Sequence, residues 1–448
     1  MTDIVALLQC FDLYISATTL RQMGRISSAM ITMTGRVTML GLSRWTGKGG
    51  SYRTVQRFFH TEIPWSLLFW LFFRQHLRNP REVYILAGDE CVVTKAGKKT
   101  YGLDRVFSGL YGRPVAGLAF FGLSLVGTQA RRAYPVMVEQ RVRDETEKAA
   151  AKTKTKKGTE TVKRNRPGRP RGGKNKDKTQ VELSGELQHI QAMLRKQLAL
   201  INGDIAINYL ALDGKFGNNN ALQMTRQCGL HLISKLRHDA ALYFPYAGPQ
   251  NHYGPRRKYG DRVDYNHLPA QCLKETTIVD GVQTQYYQAI LLHKGFAQPL
   301  NVVILIKTHR KTRKQARVIL FSSDLDLSYD KLVDYYGLRY QIEFNFRDAK
   351  QYWGLEDFMT VTETAVTNAA NLSLFMVDVA QTLLQPARQD SPDLSVLDLK
   401  AHFRGRKYVT ETLKLLPEMP EPILLDRIFH TIAQIGSVHT ANLYLNSP

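Results

Sequence analysis

The sequence predicts a mixed α/β protein in which a sheet is flanked by helices, with further helical regions at both ends of the chain. Three observations support this fold class. Residues 1–78 show helical periodicity, apolar runs alternate with helical segments between residues 83 and 236, and residues 239–325 are rich in strand signals. At 448 residues, with 44% hydrophobic content, the chain is long enough for two to four domains and a large core.

The N-terminal region contains a candidate helix-turn-helix. Residues 37–45 and 51–59 have helical periodicity, and the glycine-rich segment 47–50 separates them. Ser51 is suited to cap the second helix, on which Arg53 and Arg57 lie opposite the apolar residues. The pattern is compatible with a helix-turn-helix that binds DNA, and equally with an ordinary pair of packed helices. Arg53 and Arg57 are therefore candidate DNA-binding residues.

Two aspartates follow apolar runs that we predict to be buried strands. Residues 83–89 end in Asp89, and residues 205–213 end in Asp213. Strand ends in α/β sheets are common ligand positions, because side chains emerge there beside loop backbone. Either aspartate taken alone is more commonly a turn residue or a helix cap. The prediction of a site therefore depends on a third carboxylate elsewhere in the chain.

That third carboxylate is Glu343, which lies in a charged segment that we predict to be helical. At about 100° per residue, Tyr336, Arg339, Glu343 and Lys350 fall within roughly 60° of each other on one stripe of a helix. A carboxylate can bind a divalent metal, two cations can bind phosphates, and a phenol can hydrogen-bond or stack. Such a stripe is more often a solvated charged face, and its combination with the two aspartates is what favours a site.

The charge of the chain indicates a polyanionic partner. It carries 61 Lys and Arg against 39 Asp and Glu, for a net charge of +22, and nucleic acid is the commonest partner of such proteins. Residues 143–180 include a strongly basic run that we predict to be a disordered loop. Within it, the core Gly168-Arg169-Pro170, flanked by Arg166 and Arg171, resembles an AT-hook; a generic basic linker is the alternative.

The cysteines and the apolar runs argue against a disulfide-bonded, a zinc-binding or a membrane-spanning protein. The four cysteines are scattered without a Cys-x-x-Cys pair, which predicts neither disulfides nor a zinc site and fits a reducing compartment. The most apolar run, residues 63–73, is only eleven residues long and contains Pro64, so it predicts a buried helix and not a membrane span. We expect an intracellular, cytoplasmic protein with no membrane partner.

The three carboxylates, together with the Tyr, Arg and Lys residues near Glu343, form a recognisable pattern. Asp89, the motif Asp213-Gly-Lys-Phe216 and the Tyr-x2-Arg-x3-Glu-x6-Lys spacing resemble the DDE transposases of bacterial insertion sequences, in the branch defined by that last signature. The resemblance implies an RNase H-like catalytic core, formed by residues 79–238 and 326–390. A β-rich insertion at 239–325 would precede the catalytic glutamate, with helical regions at 1–78 and 391–448.

The resemblance also implies a mechanism and partners. Asp89, Asp213 and Glu343 become catalytic ligands for two Mg²⁺ ions, which Mn²⁺ could replace, and Tyr336, Arg339 and Lys350 become phosphate-binding residues. The implied partners are double-stranded transposon ends and target DNA, bound by a homodimer in the bacterial nucleoid. The implied reaction cleaves DNA strands and transfers 3′ ends. The alternatives are a transposase-derived DNA-binding protein without catalysis and a host nuclease of the RNase H superfamily.

Overall fold

A computed structural model of the chain describes residues 4–109, 111–144, 147, 177–250 and 252–439. Most of the predicted basic loop, including Arg166, Arg169 and Arg171, lies outside the described residues. The helices are α1 (Ile4–Leu7), α2 (Ala17–Thr32), α3 (Met39–Trp45), α4 (Tyr52–Phe59), α5 (Trp65–Phe72), α6 (Gly185–Ile201), α7 (Asn219–Gln227), α8 (Tyr329–Leu338), α9 (Gln341–Tyr352), α10 (Glu363–Asp390), α11 (Val396–Leu413) and α12 (Pro422–Ala433).

The strands of the described residues form one mixed sheet in the order β2-β3-β1-β5-β6-β12-β11-β10-β7-β8, with β4 paired to β3 and β9 paired to β10. They are β1 (Tyr84–Thr94), β2 (Asp104–Ser108), β3 (Arg113–Gly127), β4 (Arg132–Arg141), β5 (Tyr209–Ala211), β6 (His231–Leu236), β7 (Leu242–Pro245), β8 (Tyr259–Arg262), β9 (Leu273–Val279), β10 (Val282–His293), β11 (Leu300–His309) and β12 (Gln315–Ser322). This sheet, flanked by helices, confirms the predicted RNase H-like α/β class with helical terminal regions.

The N-terminal helices form where the sequence predicts them. Ser51 accepts a hydrogen bond from the Thr54 backbone and caps α4, which follows α3 across a turn. Arg53 and Arg57 are exposed on α4, whereas Val55 is buried beneath it. Two helices joined by a turn are therefore present as predicted, an arrangement that a DNA-binding helix-turn-helix and an ordinary helix pair share.

These helices share one hydrophobic core with the C-terminal part of the chain. Phe69 and Phe72 of α5 pack against Phe375 of α10, with ring centroids 5.7 and 4.9 Å apart. Trp65 Nε1 donates a 2.7 Å hydrogen bond to Asn368 of α10. The predicted boundary at residue 78 therefore does not separate two cores. The apolar run at 63–73 is buried as predicted, and none of the helices in the described ranges is long and apolar enough to cross a bilayer.

Strand β1 is longer than the sequence prediction and changes the position of the first aspartate. The strand continues to Thr94, because residues 90–94 pair with β3 from Phe121 to Gly117. Asp89 therefore lies in the middle of β1, opposite Gly122, and not at its end. Strand β5 is correspondingly shorter than predicted, with only three residues, and Asp213 follows it as expected.

The β-rich residues 239–325 extend the catalytic sheet. Strand β12 pairs antiparallel with β6, and β11 and β10 continue the sheet beyond it. The strand content predicted for this segment is confirmed, and no break in hydrogen bonding separates it from β1–β6 within the described residues.

The single helix predicted for residues 336–350 is wrong. Helix α8 ends at Leu338 and α9 begins at Gln341, with Arg339 and Tyr340 in the turn between them. The Tyr340 and Glu343 amides donate to carbonyls three residues earlier, which tightens the chain relative to an α-helix. The four signature positions therefore do not lie on one helical stripe, although their backbone path remains compact.

Candidate active site

The centre of the site is the guanidinium group of Arg339, in the turn between α8 and α9. Its side chain is buried; Nη1 donates a 2.8 Å hydrogen bond to Asp89 Oδ2, and Nη2 donates a 3.1 Å hydrogen bond to Glu343 Oε1. A carboxylate from the middle of β1 and another from the first turn of α9 thus contact the same cation. Residues about 250 positions apart in the chain meet as the sequence predicts.

The sheet register brings Asp213 to the same place. Strands β1 and β5 are parallel neighbours, with Ala87 paired to Ala211. Asp89 and Asp213 each come two residues after this pair, and they are close enough for the Asp213 carboxylate to raise the pKa of Asp89. Asp213 Oδ1 is buried and has no hydrogen-bond partner among the described residues.

The charges of the cluster perturb one another. Burial raises the pKa of Asp89, Arg339 opposes this rise, and the carboxylates of Asp213 and Glu343 add to it. Burial alone would lower the pKa of Arg339, but Asp89, Tyr336 and the other two carboxylates raise it above its ordinary value. With the carboxylates ionised, three negative charges surround one positive charge, so the site attracts further cations.

Two tyrosines enclose the guanidinium group. The ring centroid of Tyr340 lies 4.7 Å from Arg339 Cζ, and that of Tyr336 lies 5.9 Å away. Burial raises the pKa of Tyr336, whereas Arg339 lowers it. Tyr336 was predicted as a site residue, and Tyr340 was not. No periodic signal could have selected Tyr340, because adjacent helical residues point about 100° apart.

Comparison with known proteins agrees with this geometry. A family model described as DDE superfamily endonuclease matches residues 6–299, more than half of the chain. The chain belongs to this superfamily of endonucleases. Its enzymes are of nuclease or transposase type, act on DNA and generally use divalent metal ions. A search of curated proteins found no match.

The match to the DDE superfamily covers part of the site. It includes Asp89 and Asp213 and ends within the connection between β10 and β11, before Glu343. The assignment of Glu343 therefore depends on its place in the fold: it shares a guanidinium group with Asp89.

Two glycines allow close packing around Asp89 and Asp213. A Cβ at Gly122, which pairs with Asp89, would lie 2.8 Å from Phe346 Cζ, so the glycine lets α9 pack closely on the sheet. A Cβ at Gly217 would lie 2.1 Å from the Lys235 carbonyl oxygen, so the turn that carries Asp213 also requires glycine.

Lys350 lies farther along α9 and does not contact the carboxylate cluster. Its ammonium group donates a 2.8 Å hydrogen bond to the Val92 carbonyl and forms a 3.1 Å ion pair with Glu356. Next to it, burial raises the pKa of the Cys91 thiol to about 12, and Lys350 opposes that rise. Lys350 therefore lies along the second half of β1, beyond Asp89.

One charged group of the site was missed by sequence reasoning. Lys215, in the turn after Asp213, donates hydrogen bonds to Glu90 at 3.0 Å and to Glu186 of α6 at 2.6 Å. Burial opposes the charged form of Lys215, but Glu186 and Glu90 raise its pKa overall. Glu90 faces away from Asp89 on β1, so this group supports the Asp213 turn from the opposite face of the sheet. The contact with α6 has no signal in the local sequence.

The carboxylates fit a divalent cation chemically. Three carboxylates form a set of hard oxygen donors, one buried oxygen of Asp213 lacks a partner, and a guanidinium cation already bridges the other two groups. As the side chains stand, no three metal-binding side chains within the described residues are close enough to hold one ion. Arg339 contacts both Asp89 and Glu343, so an ion held by those two carboxylates would compete with its guanidinium group.

The remaining predicted residues lie outside this cluster. Arg53 and Arg57 are on the exposed face of α4, where neither has an ion-pair partner among the described residues. Arg166, Arg169 and Arg171 belong to the part of the chain that the structure does not describe.

Proposed function

We propose that the chain is a DNA transposase of the branch with the Tyr-x2-Arg-x3-Glu-x6-Lys signature. It would bind the ends of an insertion sequence, cleave strands there and join the 3′ ends to target DNA. One observation carries the proposal: the carboxylates of Asp89 and Glu343 contact a single buried guanidinium group, and Asp213 lies close enough to act on the same group electrostatically. Separate elements of the fold thus supply the acidic residues that metal-dependent phosphodiester chemistry needs.

Asp89, Asp213 and Glu343 would hold two Mg²⁺ ions, for which Mn²⁺ could substitute. Bound there, the ions would lower the pKa of the attacking water or 3′-hydroxyl and stabilise the leaving oxygen. The side chain of Arg339 would turn from the carboxylates to the phosphate beside the cut, because a phosphate offers the same bidentate acceptor as a carboxylate. Tyr336 and Lys350 would position the strand on either side of this arginine.

The helical N-terminus and the basic segments supply contacts away from the cut. Arg53 and Arg57 are exposed on the second helix of the helix-turn-helix, in position to contact a duplex. The Arg166, Arg169 and Arg171 segment would add salt-sensitive affinity, with or without a preference for A·T pairs. Because two element ends react together, we expect a homodimer on DNA, acting on the bacterial chromosome.

The experiment is a cleavage assay on the terminal sequences of the element that encodes the chain, with Mg²⁺. We compare the wild type with Glu343→Gln and with Asp348→Asn, a matched control that removes another carboxylate from α9. Asp348 forms its ion pair with the adjacent Arg347 and does not contact the cluster. We expect cleavage by the wild type and by the control, and binding without cleavage by Glu343→Gln.

The outcomes separate this proposal from its alternatives. Equal cleavage by the wild type and Glu343→Gln would refute the role of Glu343. Binding without cleavage by the wild type would favour a transposase-derived DNA-binding protein. Cleavage of any duplex without preference for the element ends, and without strand joining, would favour a host nuclease of the RNase H superfamily.

A further inference from the structure

A large cleft opens beyond the end of β1. It has a volume of about 890 Å³ and is formed by the β1–β2 connection, the start of β3 and the segment that follows α9. Five cationic residues line it, and we call it the basic cleft after the three that carry the argument: Lys98, Lys99 and Arg113. None of the roles assigned above uses these residues.

The acidic residues of the basic cleft are already paired. Asp357 accepts hydrogen bonds from Arg36 Nε and from the Val37 amide, and Glu356 forms its ion pair with Lys350. Lys98, Lys99 and Arg113 are exposed, and within the described ranges they have no ion-pair or hydrogen-bond partner. The cleft therefore presents three uncompensated positive charges to solvent.

The walls of the basic cleft also expose apolar surface. Tyr111 is 54% exposed and Met359 is 74% exposed. Lys95 forms the floor: its ammonium group donates to the carbonyls of Glu356 and Phe358 and lies 3.5 Å from the Phe358 ring centroid. Positive charges beside exposed aromatic and apolar side chains match a phosphodiester chain with its sugars.

The basic cleft is aligned with the active site. Asp89, Cys91 and Lys95 are at odd positions of one extended segment, so they point to the same side of the sheet. Lys95 lies six positions after Asp89 along extended chain, which corresponds to a distance of about 20 Å at the rise of a strand. Lys350 lies between them, bonded to Val92. A DNA strand that leaves the carboxylates along α9 therefore meets the cleft.

We propose that the basic cleft binds the backbone of the DNA duplex about six base pairs from the cleavage point, since 20 Å divided by a rise of about 3.4 Å per base pair gives that separation. The inference rests on the proposed function and adds a further DNA-binding surface beside the catalytic one. Lys98, Lys99 and Arg113 supply the phosphate contacts, and Tyr111 packs against the sugars.

The test compares two triple variants that lose the same charge. The cleft variant is Lys98→Ala, Lys99→Ala, Arg113→Ala. The control variant is Lys274→Ala, Lys331→Ala, Arg427→Ala, which removes two exposed lysines and one exposed arginine from β9, α8 and α12. Binding to the end duplex is measured by fluorescence anisotropy from 50 to 200 mM salt. Three lost phosphate contacts reduce the salt slope by about 2.7, so over this range the wild type loses roughly 40-fold more affinity than the cleft variant.

The length of the DNA gives a second readout. We use duplexes that extend 20 base pairs, or only 4 base pairs, beyond the cleavage point on either side. The cleft variant should bind and cleave the long duplex less well than the wild type. On the duplex with 4 base pairs on the side that reaches the cleft, the two should be equal. Arg113→Ala alone, with about one third of the change in salt slope, serves if the triple variant unfolds.

Three results overturn the inference. The cleft variant could match the control variant in salt slope, or its defect could persist undiminished on both short duplexes. In either case the wild type still cleaves element ends, and the proposed function survives. Failure of the wild type to bind or cleave any element end would instead remove the proposed function and this inference together.

Discussion

Replacement of Arg339 by methionine tests the electrostatic balance of the site. The change removes the only cation that contacts both Asp89 and Glu343 in the described structure and keeps a side chain of similar length. We expect a less stable protein whose stability depends more strongly on divalent metal. Arg347→Met is the matched control, because Arg347 is an exposed arginine of α9 that pairs only with its neighbour Asp348 among the described residues.

The magnitude follows from the burial of each partner. The Asp89 side chain is only 20% exposed, and loss of its partner falls at the lower end of the roughly 3–5 kcal/mol for a broken buried pair. The Glu343 side chain is 46% exposed, so its contact is worth at most about 1 kcal/mol. Methionine also removes the buried Arg339 Nε, which has no hydrogen-bond acceptor among the described residues. Its removal stabilises the variant by roughly 1–2 kcal/mol and offsets part of the loss. The net loss is therefore about 1–3 kcal/mol.

The assay is urea unfolding at several pH values, with and without Mg²⁺. Without Arg339, the already raised pKa of Asp89 rises further. When the folded-state pKa of a carboxyl group is raised, the group stabilises the folded protein at pH values below its unfolded-state pKa of about 3.9. This stabilisation is lost as the pH rises through the folded-state pKa. The free energy of unfolding of Arg339→Met should therefore lie far below that of the wild type at pH 7–8 and close to it near pH 4. Mg²⁺ should offset most or all of this loss, because binding at one hundred times the dissociation constant stabilises the folded state by about 2.7 kcal/mol.

The reasoning would be refuted by a variant as stable as Arg347→Met at pH 7.5 without metal. It would also be refuted if Mg²⁺ stabilised Arg339→Met no more than the wild type. Either result would mean that Arg339 does not neutralise the carboxylates.

Three further predictions concern buried polar groups outside the site. Burial, together with the nearby Arg404, lowers the pKa of Lys400 to about 7, so wild-type stability should rise from pH 7 toward pH 10. Urea unfolding of Lys400→Met should show a flatter dependence of stability on pH, and an unchanged slope would contradict this. Asp378 is fully buried, neither of its carboxylate oxygens has a hydrogen-bond partner among the described residues, and burial raises its pKa well above the ordinary value. Asp378→Asn should therefore raise the free energy of unfolding at pH 8, and a lower free energy of unfolding would contradict this. Asn368→Leu leaves Trp65 Nε1 and backbone carbonyls such as that of Phe59 without their hydrogen-bond partner. It should lower the free energy of unfolding by about 2–4 kcal/mol in the same assay, and a change below about 0.5 kcal/mol would contradict this.

Local features of the fold were predictable because local chemistry determines them. Ser51 caps α4 as its position before an amphipathic segment indicates. The three carboxylates could be selected because apolar strands and a spaced signature mark their positions. Asp89 and Glu343 do meet, through Arg339.

Features that depend on tertiary contacts were not predictable. Strand β1 passes Asp89 because β3 pairs with it as far as Thr94, and nothing within β1 specifies that partner. The helix breaks at Arg339, whose side chain is held by the distant Asp89. Likewise, Lys215 pairs with Glu186 only because α6 packs near the Asp213 turn. A helical wheel contains none of these contacts.

The central claim is that Asp89, Asp213 and Glu343 bind the same divalent ions. The most direct measurement is an electron paramagnetic resonance titration of Mn²⁺ with the protein saturated by end DNA. The wild type is compared with Asp89→Asn, Asp213→Asn and Glu343→Gln. The account predicts two ions for the wild type and the loss of at least one in each variant, with DNA binding retained. Wild-type Mn²⁺ binding by any of the three variants would contradict it.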